Sequence, residues 1–108
     1  MNFSQVTDQF ETAAPGTDAF LTVKEEMRSL IASDSARAAA YFLVYGFARS
    51  YVILHDDEDI TVEYARTAKA RLLQYMRLIE AAIAQDEKSL LEAMNKIVVD
   101  YDSSRESF

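Results

Sequence analysis

This sequence predicts an all-α fold, an antiparallel bundle of four to five helices around a central apolar helix at about residues 35–55. Three observations carry that prediction. Apolar residues recur at three- and four-residue intervals along most of the chain, which is the period of one helical face. The 108 residues include only two Gly and one Pro, too few to punctuate a many-turned β fold. The run Ala38 to Ala48, AAAYFLVYGFA, holds no charge, and a helix that is apolar all round must be covered on several sides.

The first helix is expected over Ser4–Ala14, with Phe3, Val6, Phe10 and Ala13 at helical spacing. Pro15-Gly16 ends it, and Thr17 or Asp18 is placed to cap the second helix, which runs to about Ala32. Phe20, Val23, Met27, Leu30 and Ile31 share one side of that helix. Ser33-Asp34-Ser35 supplies a connector and an N-cap for the third.

In the third helix Ala36, Ala40, Leu43, Phe47, Tyr51 and Leu54 form the expected core stripe. The opposite face carries Tyr41, Tyr45, Ala48, Arg49 and Val52. Gly46 lies between the two. Glycine inside a helix costs about 1 kcal/mol against alanine, so close approach of a second helix is its expected reason.

Asp59 or Thr61 caps a fourth helix that runs to about Ala84, with Ala65, Leu72, Met76, Ile79 and Ile83 inward and Arg66, Lys69, Leu73 and Arg77 outward. Asp86 caps a fifth, whose buried side is Leu90, Met94, Ile97 and Tyr101, with Leu91 and Val98 adjacent. The chain reads as one helical domain over 1–108, with a Ser-rich frayed tail over 102–108.

Charge narrows the function classes. Eighteen acids against eleven bases give a net charge of -7. Such a surface repels phosphate backbones, so direct nucleic-acid binding is not expected, and a basic protein is the better-matched partner. With no Cys there is neither a disulfide framework nor a thiolate metal site. The stretch Ala38–Leu54 is short for a bilayer and is interrupted by Arg49, so no membrane role is expected, and the compartment read from these features is cytoplasmic.

The run His55-Asp56-Asp57-Glu58-Asp59 is the densest cluster of chemical groups. It lacks the glycine and the terminal glutamate of a calcium-binding loop; that last position, counted from Asp57, is Ala68. Acids ahead of a helix suit its positive N-terminal dipole, and a histidine suits the negative end of the helix before it. His55, the sole histidine, has Ser50 and Asp59 near in sequence, but Ser50 sits on a helix without the strained turn that exposes a nucleophile. No Glu-x-x-His pair and no glycine-rich phosphate loop occurs. No cofactor or metal is therefore expected, and no catalytic residue is nominated.

Tyrosine and arginine are the residue types enriched at binding hot spots. The partner-binding residues nominated are Tyr41, Tyr45, Arg49 and Val52 on the third helix, with His55, Asp56, Asp57 and Asp59 in the loop after it. The resulting expectation is a non-enzymatic interaction or regulatory module, a homodimer that binds another protein. The alternative is a small bacterial immunity or inhibitor protein that neutralises a basic toxin or nuclease through the acidic loop. A metal-binding or enzymatic bundle comes third.

Overall fold

The computed structural model describes residues 1–104 and 108. Its helices are α1 (Phe3–Thr12), α2 (Thr17–Ser33), α3 (Ala38–His55), α4 (Val62–Ile83) and α5 (Glu87–Ser103), with a single 3-10 turn over Ser35–Arg37 ahead of α3. They pack as an all-helical bundle.

Local chemistry fixes most ends. Asn2 starts α1 with a capping box: its side chain accepts the Gln5 backbone N–H at 2.9 Å, and Gln5 Oε1 accepts the Asn2 N–H at 2.8 Å. Thr61 caps α4 by accepting from the Tyr64 N–H at 3.0 Å, and Asp86 caps α5 by accepting from the Ser89 N–H at 2.7 Å. Gly16, rather than Thr17 or Asp18, caps α2. Its φ of 148° lies where glycine is favoured, which lets the chain turn sharply after Pro15. The expected side-chain cap of α3 is also absent. Asp34 accepts instead from the Tyr41 hydroxyl at 2.6 Å and from Arg37 Nη1 at 2.8 Å.

Helices α2 and α3 form one hairpin and α4 and α5 another. α1 packs on α2 and α4, α3 borders α2, α4 and α5, and α4 borders α1, α3 and α5, so α3 and α4 together join the two hairpins. The core is strongly aromatic. Phe20 of α2 stacks on Tyr51 of α3, Phe10 of α1 packs edge-on to Phe20, and Phe47 of α3 meets Tyr75 and Tyr101. The inward stripe of α4 is as expected at Ala65, Leu72, Met76 and Ile79, with Ile83 half-buried.

Two further expectations need correction. The inward side of α3 is Ala40, Tyr41, Val44, Phe47, Ala48 and Tyr51. Ala36 is exposed, Leu43 is half-buried and Leu54 is 45% exposed. Ala40, Phe47 and Tyr51 of the expected stripe are inward, and the helix is rotated so that Tyr41 and Ala48 of the opposite face join them. The physical reason is Tyr41: an aromatic ring is as good a core group as leucine once its hydroxyl has a partner, here Asp34. The tail differs too. Asp102 and Ser103 complete α5, and Phe108 is buried, because one aromatic ring carries enough apolar area to draw a polar tail back to the core. Residues 105–107 of the expected frayed tail lie outside the described residues.

Candidate functional site

Rotating α3 moves its outer face. The residues presented outward are Phe42, Gly46, Arg49 and Ile53, at spacings of four, three and four. Phe42 is 63% and Ile53 61% exposed, unusual for large apolar side chains that share one face. Between them Gly46 has open space: a Cβ there would meet nothing within 4 Å. The Phe42 ring stacks on Tyr45 at 5.7 Å, and Tyr45 in turn has the Arg28 guanidinium of α2 5.8 Å from its centroid. The patch is an aromatic pair at one end, an aliphatic residue at the other, and a small residue and a cation in the middle.

The nominated residues fall into three groups. Tyr41 is 2% exposed, packed 5.8 Å from Phe3 of α1, so it belongs to the core of its own chain and not to a free surface. Burial, with the hydrogen bond to Asp34, pushes its phenol up to about 12. Tyr45 is half-buried beside Arg28 of α2, Val52 is half-buried against the core, and Arg49 is exposed at the centre of the outer face. Asp56, Asp57 and Asp59 are exposed in the loop between α3 and α4. Phe42 and Ile53 were missed. Their signal was slight: Phe42 and Ile53 lie eleven residues apart on one face, and in a helix apolar on nearly every side such a pair can be read at several rotations.

His55 ends α3 and knits the loop. Its Nδ1 lies 3.3 Å from a Glu58 carboxylate oxygen and its Nε2 3.2 Å from the Tyr64 hydroxyl, while its ring packs edge-on to Tyr51 and Tyr64. Ser50 points elsewhere, donating to the Phe108 carbonyl at 3.3 Å, so His55 and Ser50 are engaged with different partners. Among the described residues no three His, Cys, Asp or Glu side chains come together as a metal site.

Two of the outward basic residues of α4, Lys69 and Arg77, are tied to α1. Lys69 donates to the carbonyls of Glu11 and Ala13 at 2.7 and 2.5 Å. Arg77 reaches Asp8, Glu11 and Glu80 at 3.0–3.1 Å. These cations hold α1 against its own chain, and Leu73 between them packs onto the core. No described helix is long and apolar enough to cross a membrane. Comparison with known protein families, characterised protein sequences and solved structures finds no match to this chain.

Proposed function

We propose that this protein is a non-enzymatic, cytoplasmic interaction module that works as a homodimer through the outer face of α3. The observation that carries the reading is the exposure of Phe42 and Ile53 on one face of α3, with open Gly46 between them. Closed two-fold dimers are the commonest solution for a self-complementary patch.

The spacing suits an antiparallel pairing of two α3 helices about an axis midway between Gly46 and Arg49. Phe42 then meets Ile53 of the second copy, and Ile53 meets Phe42. Arg49 passes over Gly46, a large side chain against a position with no side chain. The acidic loop Asp56–Asp59 comes toward the N-terminal end of the other α3, where the helix dipole is positive and Arg37 stands. Apolar contact supplies affinity at the centre, and charge sets the register at the ends.

Sedimentation tests it. The wild-type chain is expected to be dimeric at roughly 50 μM, where most specific dimers persist. Phe42→Glu or Ile53→Glu is expected to yield a monomer with unchanged helical content, since both positions are exposed within one chain. A wild-type monomer at that concentration rejects the reading.

A second reading rests on a separate observation, the exposed acids of the loop. Capture of a basic protein there, as an inhibitor or immunity protein would do, is steered by charge and weakens with salt.

A further inference from the structure

Five residues beyond the end of α5, the chain returns to the core. Phe108 is 1% exposed, and its ring is enclosed by side chains from four helices. Tyr101 of α5 stacks on it with centroids 5.7 Å apart and planes 12° from parallel. Phe47 of α3 lies 5.3 Å away, Tyr75 of α4 6.2 Å, and Phe20 of α2 6.3 Å. The Arg71 guanidinium is 4.9 Å from the ring centroid, in range for cation–π attraction. Ser50 donates to the Phe108 carbonyl.

The walls belong to the bundle, and the occupant belongs to a separate stretch of chain. The walls also hold one another. Phe47 lies 4.7 Å from Tyr101, Arg71 sits near the rings of both Tyr101 and Tyr75, and the Tyr75 hydroxyl donates to Asp100 at 2.5 Å. A cavity braced by its own lining keeps its shape when emptied, and an apolar one accepts an aromatic guest. Beside Phe108 is an opening of about 330 Å³ lined by Thr61, Glu63, Tyr64, Thr67, Ala68 and Arg71.

We propose that this receptacle is a binding site for a phenylalanine side chain presented by another polypeptide, with Phe108 as its tethered competitor. The near-parallel Tyr101 ring, with the Arg71 guanidinium beside the stacked pair at 4.9 Å from both centroids, selects a flat aromatic group. Ser50 offers a donor to a main-chain carbonyl next to that group. The adjoining opening sets Thr61, Glu63 and Thr67 beside the slot, polar groups for flanking main chain that an all-apolar cavity would deny it. Burial of one phenylalanine side chain corresponds to an equilibrium factor of roughly 10–150. Phe108 therefore vacates the slot in a small fraction of molecules, and an external ligand binds more weakly by that same factor.

The test compares wild type with Phe108→Ala, using N-acetyl-phenylalaninamide and the blocked tripeptide acetyl-Gly-Phe-Gly-amide as probes and N-acetyl-leucinamide as control. Both phenylalanine probes are expected to raise the melting temperature of Phe108→Ala by about 5 °C at ten times their Kd. They are expected to shift the NMR signals of Tyr101 and Phe47. Wild type is expected to bind the same probes about tenfold or more weakly. Equal affinity for the two proteins, an equal response to the leucine control, or no binding to a folded Phe108→Ala overturns the proposal. Binding of the single-residue amide without the tripeptide means a small aromatic molecule as ligand and overturns the polypeptide assignment. A Phe108→Ala chain that does not fold overturns it as well, because Phe108 is then a fixed part of the core and not a displaceable occupant.

Discussion

Phe20 and Tyr51 lie face to face, 3.7 Å between ring centroids and 9° from parallel, and this stack joins α2 to α3 inside the core. It also anchors its neighbours, since Phe10 of α1 packs on Phe20 and His55 at the end of α3 packs on Tyr51. Phe20→Ala should cost about 3–5 kcal/mol, a large share of the stability of a small domain. The Tyr51 hydroxyl is buried with no hydrogen-bond partner among the described residues, and burial pushes its phenol up. Tyr51→Phe keeps the stack and removes a polar group that gains nothing from being there, so it should be neutral or stabilising. Urea midpoints of the two variants check both statements, and a clear loss in Tyr51→Phe would refute the second.

The Asp34–Tyr41 pair makes stability depend on pH at both ends. The hydrogen bond from Tyr41, then that from Arg37, holds the Asp34 carboxyl below its ordinary value of 3.8. Its contribution is present above that value and is lost as pH falls through the lowered one. Tyr41 behaves oppositely. Its phenol is raised from 10.0 to about 12, so its contribution is present below 10.0 and is lost as pH climbs toward 12. Asp34→Asn should flatten the acid limb of a melting-temperature profile. Tyr41→Phe should remove one late-ionising phenol from an ultraviolet titration. Superimposable acid limbs for wild type and Asp34→Asn would contradict the first expectation.

How much of this was legible in the sequence differs by element. The ends of α4 and α5 were, because Thr61 and Asp86 are strong caps and Leu72, Met76 and Ile79 follow one clear stripe with charges opposite. The rotation of α3 was not. Amphipathic contrast is what orients a helix in a sequence, and a run such as AAAYFLVYGFA has none. Which of Tyr41 and Phe42 turns inward is tied to whether a hydroxyl meets the Asp34 carboxylate seven residues earlier, which depends on how the connector bends into α3. The burial of Phe108 had one trace, a lone aromatic in a Ser-rich tail. The ties from Lys69 and Arg77 to α1 had none, since a lysine that caps a distant helix has the same local spacing as one in water.

Lys69 ends α1 from outside. Its ammonium sits at the carbonyls of Glu11 and Ala13, where the last turn leaves acceptors unpaired and the dipole is negative. Lys69→Met keeps most of the aliphatic stem and removes the donors. It should cost about 1–2 kcal/mol and speed hydrogen exchange selectively in α1. Unchanged exchange in residues 3–13 would show that packing alone holds the helix.

The acidic loop is predicted to be indifferent to divalent cations. Asp56, Asp57 and Asp59 are exposed, and no described cluster converges as a coordination sphere. Millimolar magnesium or calcium should leave the melting temperature unchanged, whereas a rise abolished by Asp57→Asn with Asp59→Asn would restore a metal site. If the loop steers a basic partner, replacing Asp56, Asp57 and Asp59 with Asn should slow association and weaken its salt dependence. Equal rates at low and high salt for the wild type would exclude charge steering.

Gly46 separates the dimer from the monomer in one substitution. Within a single chain an alanine methyl at this position meets nothing, and alanine is the better helix former by about 1 kcal/mol. Gly46→Ala should therefore stabilise an isolated chain. In the proposed antiparallel pair the same position lies beneath Arg49 of the second copy, so the added methyl pushes the helices apart and weakens association. The expected result is a variant that melts higher than wild type at low protein concentration and loses that advantage as concentration rises, with a larger sedimentation dissociation constant. Stabilisation that is independent of concentration, with dimerisation unchanged, would mean that α3 does not meet its twin at Gly46 and that the pairing axis lies elsewhere on the face.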